Sequence, residues 1–363
     1  MPTTGTVLAG RREEVGRKGI PVPETTQGEL TMTANRQVLI ASLPSGNMQA
    51  SDFEVQTAEL APPADGQVLC KTIAITIGAG QRAGLQGSAS YAGAPIAGRL
   101  MSGTGLATVE ESQSPQLRPG DLVVGQTGWQ EYSVHDASEL RQVDGPADPG
   151  LHLGALGTNG LTAYFGLLEV GRPNAGDTVV VSAAAGSVGH MVGQIARLHG
   201  CHVVGVAGSE AKCRMLVEEL GFHAAVNYKD SDFRSAFRAA TPDRIDIYFD
   251  NTGGDVLGSA LFRMNTRGRI VCCGVVSQYD TANPEPGPRG VPGLLVNNRV
   301  RMEGFLVFDY EEQYESARRE LSSWVESGSL KPRVTEFEGL ESAPDAFVAL
   351  LSGQTVGTTI VRL

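Results

Sequence analysis

A chain of 363 residues with 41% apolar side chains and 46 glycines is long enough for two hydrophobic cores and too apolar for bulk disorder. Its formal charge of -11 excludes nucleic acid and anionic membrane surfaces as partners, because phosphate-rich ligands are held mainly by an excess of Lys and Arg. No apolar stretch reaches the roughly 18 residues of a membrane span, and the opening residues lack an apolar signal core, so a cytoplasmic protein is expected.

In chain order, residues 1–33 mix charge, Pro and Gly without periodicity and are expected to form a flexible extension. Residues 34–154 carry short apolar runs cut by Gly and Pro, "QVLCKTIAITIG", "GRLMSGTGLATV", "RPGDLVVG" and "WQEYSV", the spacing of an antiparallel, barrel-like β domain. Over 155–333 strands alternate with helix-length segments. "DTVVVSAA", "HVVGVAG", "IDIYFDN", "RIVCCGVV" and "MEGFLVFD" are five strand candidates, mostly apolar throughout, as in a parallel sheet covered on both faces. The fold class is therefore α/β, a doubly wound parallel sheet beside a β-rich domain. Residues 334–363 end in an apolar run predicted to return to the first domain.

Asp177 to Ser209 carries the strongest chemical signal. Val188, Met191, Val192, Ile195 and Ala196 fall on one face of a helix predicted over 188–199, and Gly200 stops it. Strand, turn, helix and strand make a βαβ unit whose turn contains Ala183, Gly186 and Gly189, a variant of the dinucleotide fingerprint. Bare backbone there lets a pyrophosphate approach unpaired N–H groups and the positive end of the helix dipole. The second strand ends in Ala207, Gly208 and Ser209, with Lys212 and Arg214 beyond, which favours the 2′-phosphate of NADPH over the free ribose of NAD; Glu210 is the feature pointing the other way.

Five cysteines, at 70, 201, 213, 272 and 273, are an odd and scattered set, read as buried thiols. Between 34 and 154 stand only Cys70, His135 and His152, no CxxC occurs, and Cys272 and Cys273 would point to opposite faces of a strand. No metal site is expected, and the six histidines are read as ordinary surface or core residues. The chemistry then falls to an organic cofactor.

"RPGDLVVGQTGWQEY", "GLTAYFGLLEVG", "VVVSAAAGSVGHMVGQIARLHGC", "CRMLVEELGF", "IYFDNTGG", "GVVSQYD" and "RMEGFLVFDY" together resemble the zinc-independent medium-chain alkenal and enone double-bond reductases, which include prostaglandin reductases and NADPH-dependent curcumin reductases. The likeness runs from about Asn35 to Leu363. It implies a GroES-like catalytic domain built from both ends of the chain, a Rossmann domain between them, a homodimer, NADPH, and hydride transfer to the β-carbon of an enone or enal. Gly186, Ser187, Val188 and Gly189 match the pyrophosphate turn. Lys212 and Tyr228 match contacts to the 2′-phosphate and adenosine, and Asn251 a cofactor contact. Cys273, Gly274, Val275, Val276, Ser277 and Tyr279, with Phe305, Leu306 and Val307, match segments on the nicotinamide side, and Thr162 a residue near its ribose and ring.

Tyr279 is the expected catalytic side chain, since hydride arriving at the β-carbon leaves negative charge on the carbonyl oxygen, where a placed hydroxyl gains strength in the transition state. Two departures stand out. The family's pocket Tyr is Gly80 here, preceded by Ala79 for Pro, which enlarges or reshapes the pocket, and a cofactor-contacting Asn is Thr355. Tyr91 aligns with a family Tyr. Quinone reduction by the same hydride is the rival activity, and an NADPH-binding sensor without turnover is the rival class.

Overall fold

The computed structural model describes residues 1–3, 5, 32–89, 94–284 and 286–363. The extension expected over 1–33 falls almost wholly outside the described residues, and Tyr91 falls outside them too. Met32–Leu363 forms one compact unit, separate from Met1–Thr31.

Strands β1 (Thr33–Ile40) and β2 (Phe53–Leu60) pair antiparallel. They precede β3 (Gln67–Ile77), helix α1 (Ala79–Leu85), β4 (Gly105–Ser112), β5 (Leu122–Gly125), β6 (Tyr132–Asp136) and β7 (Arg141–Gln142). Helix α2 (Thr158–Phe165) follows, flanked by wide π-helical turns at Gly150–Ala155 and Gly166–Gly171. Next come β8 (Thr178–Val181), α3 (Gly189–Leu198), β9 (His202–Ala207), α4 (Glu210–Glu218), β10 (Ala224–Asn227), α5 (Phe233–Ala240) and β11 (Ile245–Asp250). The chain ends with α6 (Gly254–Leu261), β12 (Met264–Cys272), α7 (Val291–Asn298), β13 (Arg301–Gly304), α8 (Tyr314–Glu326), β14 (Val334–Glu338), α9 (Ala343–Leu351) and β15 (Thr358–Arg362).

The parallel sheet has the order β10-β9-β8-β11-β12-β13, the three-two-one-four-five-six winding of dinucleotide-binding folds, so the direction of strand addition reverses between β8 and β11. Val179, Val180 and Val181 of β8 and Ile247, Tyr248 and Phe249 of β11 are fully buried, as strands covered on both faces must be. The sheet holds six strands where five were expected. The additional one, β10, is only four residues long and rich in alanine, which has little strand preference, and its parallel pairing with β9 is what makes it a strand.

In the second sheet the order is β14-β15-β3-β4-β5-β7. One edge of β3 is shared, its first residues pairing with β6 and its last with β15, which curls the sheet toward a barrel and joins the end of the chain to the first domain's strands. The strands of 34–154 pair antiparallel throughout, as expected, whereas β14 and β15 run parallel because α9 supplies the crossover that parallel neighbours require.

Candidate active site

The turn after β8 is built from residues too small to fill it. Ala183 takes φ 45°, a left-handed backbone at the first position of the fingerprint, and its carbonyl accepts the Gly186 N–H at 2.9 Å. A Cβ on Gly189 would stand 2.4 Å from Ala183 O, so only glycine lets α3 start this close to the strand. Val188 caps α3 with no side-chain acceptor, and the amides of Val188 and Gly189 have no acceptor among the described residues, while Ser187 bridges to Gly357. Two bare N–H groups at the positive end of a ten-residue helix form a cradle for a phosphate.

Two clamps hold that cradle. Ser187 Oγ donates to Gly357 O at 3.1 Å and Gly357 N donates to Ala185 O at 2.8 Å, tying the turn to the segment before β15. His190, fully buried on α3, accepts the Arg333 N–H at Nε2 (3.0 Å), so its proton sits on Nδ1 and is donated to Gly186 O at 2.7 Å. Burial pushes this imidazole down to about 4, against the opposing pull of its bond to Gly186. Of the six histidines read as surface or core residues, His190 is a core residue that also orients the main chain of the turn.

At the end of β9, Ser209 caps α4 by accepting Lys212 N at 3.3 Å, and Lys212 Nζ reaches Gly353 O at 2.7 Å. Burial lowers the Lys212 pKa, and the like charge of Lys229 adds to it. Tyr228 and Lys229 close over Gly208, where an added Cβ would lie 3.0 Å from the Tyr228 ring and 3.4 Å from Lys229 Cε. Two converging lysines without a carboxylate suit an anion. Lys229 was not among the sequence candidates; its signal was its place next to Tyr228, one strand away from Lys212. Arg214 and Glu210 drop out of this corner, facing one another at 3.9 Å on the exposed side of α4.

Past the reversal point, Asn251 is pinned inward, its Nδ2 donating to Ser182 O at 2.7 Å and its amide to Ser182 Oγ at 2.8 Å. Next to it Asp250 accepts Gly253 N, Thr252 N, Tyr248 Oη and Ser182 Oγ between 2.9 and 3.2 Å, while burial raises its pKa. The Cys273–Ser277 backbone lies along this loop, with Cys273 N and Gly274 N donating to Asp250 O, Val276 N to Asn251 O and Ser277 N to Thr252 O. Cys273 lies just beyond β12, and burial drives its thiol up to about 12.

A cleft of about 380 Å³ opens between the two sheets. Thr162, Cys273, Phe305, Leu306 and Val307 line one side; Gly80, Gln81 and Ser102–Thr104 line the other. "MEGFLVFD" reaches the cleft because the strand ends at Gly304 and Phe305 onward is released from it. Tyr279 sits beside the cleft and does not line it. Its Oη accepts the Val275 N–H at 3.3 Å, which leaves the hydroxyl proton without an acceptor among the described residues. The bare turn, the lysine corner, Asn251 and the cleft wall all stand at the carboxyl ends of the parallel strands, where such sheets bind nucleotides.

A family model described as the N-terminal domain of oxidoreductases matches residues 36–143, and one described as zinc-binding dehydrogenase matches 187–323. The NADPH-dependent curcumin reductase of Escherichia coli is 38% identical over 91% of this chain and 97% of its own. The NADP-dependent 2-alkenal reductase of Nicotiana tabacum is 38% identical over 91% and 98%. This chain is a medium-chain reductase of the alkenal and enone double-bond group. The crystal structure of CurA from Vibrio vulnificus in complex with NADPH superposes with a TM-score of 0.86 at 36% identity, covering 90% of this chain and 98% of that one. Gly80 lines the cleft, and Thr355 is buried two residues before Gly357. Among the described residues no three His, Cys, Asp or Glu side chains are grouped to hold a metal ion.

Proposed function

We propose that this reductase uses NADPH to saturate the carbon–carbon double bond of α,β-unsaturated aldehydes and ketones. The observation that carries the reading is one row of features along the carboxyl edge of the sheet: the bare amides of Val188 and Gly189, the Lys212 and Lys229 corner, and the Cys273 and Phe305–Val307 wall of the cleft. The residues fit the cofactor, because the amides of Val188 and Gly189 have no acceptor among the described residues at the N-terminus of α3, and two lysines await an anion at the adenosine end. Ser187, Val188 and Gly189 would hold the phosphates, Lys212, Lys229 and Tyr228 the 2′-phosphate end, and Thr162 with Cys273 to Ser277 and Phe305 to Val307 the nicotinamide end. NADPH, when bound, supplies the hydride.

In this reading Tyr279 gives its free hydroxyl proton as a hydrogen bond to the substrate carbonyl oxygen, where charge accumulates as the β-carbon is reduced. The Val275 N–H already donating to its oxygen strengthens that bond, since hydrogen bonds in a chain polarise one another. The chain also divides, in this reading, into a GroES-like domain of 34–154 with 334–363 and a nucleotide domain of 155–333. It works as a cytoplasmic homodimer. Among the described residues the outer edge of β13 pairs with no strand and Val296 of α7 is exposed, which support continuation of the sheet into a second copy. Product analysis is the test: a saturated aldehyde or ketone supports the assignment, and a hydroquinone from a quinone with no enone turnover overturns it. Tyr279→Phe should lower kcat on an enone by about tenfold or more, and unchanged turnover removes the residue from the mechanism.

A further inference from the structure

We propose that Arg141 forms an anion subsite in the cleft and that the preferred substrates carry a carboxylate away from the reacting double bond. The chain has 40 acidic and 29 basic residues, yet among the described residues the cleft is lined by Arg141 and Arg318 and by no Asp or Glu. The two arginines differ in what they already hold. Arg318 bonds Glu315 at 2.5 Å and Leu156 O at 3.1 Å, and lies 5.2 Å from the Tyr314 ring centre. Arg141, on the short strand β7, has no ion pair and no side-chain hydrogen bond among the described residues. Burial pushes its guanidinium down to about 10, the like charge of Arg318 adds to the effect, and Glu315, already bonded to Arg318, opposes it without bonding Arg141.

His152 lines the same cleft and is only 2% exposed. Burial holds it below the ordinary histidine range, with Arg141 contributing, so it stays neutral near pH 7 and adds no second charge beside Arg141. A half-buried guanidinium that has lost water and gained no partner is costly unless a ligand supplies the anion, and its planar fork matches a carboxylate. The cofactor's own phosphates are not that anion, because neither the Ser187–Gly189 turn nor Lys212 contributes to this cleft.

The inference rests on the proposed reaction only for the other end of the ligand. It is tested by calorimetric titration of the NADP-loaded protein with a homologous series of saturated oxo-acids and their methyl esters. In the unmodified protein the best acid should bind about tenfold to a hundredfold tighter than its ester, the size of a hydrogen bond to a charged group. That preference should vanish in Arg141→Met and return in part in Arg141→Lys, with NADPH affinity unchanged. Equal binding of acid and ester in the unmodified protein overturns the subsite, as does an Arg141→Met variant that weakens NADPH as much as the acid. Failure to consume NADPH with any neutral enone would instead defeat the reaction, while the acid and ester comparison would still decide the role of Arg141.

Discussion

Acidification should destabilise this fold through His190 in a window that the structure defines. The imidazole is fully buried, neutral, and held at about 4, against 6.5 when unfolded. Between those values the unfolded chain takes a proton that the folded chain refuses, so stability is complete above 6.5, falls as pH drops toward 4, and changes no further from this group below that. At about 1.4 kcal/mol per pH unit the whole loss is about 3 kcal/mol, of which about 2 is reached by pH 5. His135, His152 and His223 are also lowered by burial and shift stability in the same direction, so the wild-type curve alone does not isolate His190.

The comparison is urea unfolding of wild type and His190→Asn at pH 7 and pH 5. Asparagine keeps a donor near the Nδ1 position for Gly186 O and loses both the Arg333 contact and the titration. The variant should start less stable at pH 7 and lose about 2 kcal/mol less on going to pH 5. The folded imidazole stays neutral over that range, so NADPH affinity of the wild type should hold as far as His190 is concerned and fall only as pH drops through about 4, where a proton on Nε2 opposes the Arg333 N–H and releases the turn. Parallel losses in the two proteins would refute the reasoning.

Gly189→Ala should weaken NADPH binding by about tenfold to a hundredfold in a fluorescence titration, an overpacking cost of about 1–3 kcal/mol, because the new methyl meets main chain at 2.4 Å. Gly186→Ala, whose methyl comes no nearer than 3.2 Å, should cost less. Lys212→Ala and Lys229→Ala should each raise KM for NADPH by about tenfold or more and leave KM for NADH unchanged, which steady-state kinetics with the two cofactors will check. Asp280→Asn should cost about 3–5 kcal/mol in denaturant unfolding, because Arg82, 1% exposed, pairs with that carboxylate at 3.0 Å. Pairing it with Arg82→Met should restore part of the loss.

What the sequence disclosed and what it withheld divide along α3. The spacing of Met191, Val192, Ile195 and Ala196 announces one buried face, and the small residues before it announce the turn, because both signals are local. The opposite face holds His190 and Gln194, polar residues one helical turn apart, which a periodicity argument assigns to solvent. Both are buried, for the chain returns past them at Lys331 and Arg333, and their side chains satisfy its main chain: Gln194 accepts Lys331 N at 2.8 Å and His190 accepts Arg333 N at 3.0 Å. No window on the helix contains that information, since the partners lie 137 and 143 residues away.

The cleft follows the same division. Cys273 and Phe305 to Val307 were legible from motifs at strand ends, whereas Arg141 and Arg318 meet only when β7 of one sheet faces α8 over the other. Tyr279 shows the limit from the other side. A motif identifies the residue, yet the Val275 N–H decides where its oxygen rests, and that oxygen lies beside the cleft wall. Its proposed chemistry thus depends on the loop joining β12 to α7, which Asp280 fastens to Arg82 and Met48 N and Gln278 O fastens to Gln86. Four contacts from the β-rich half would then set the reach of a hydroxyl carried by the nucleotide half, Asn47 Nδ2 to Asp280 O being the fourth. The two halves of the protein therefore have to be judged together when substrate preference is measured.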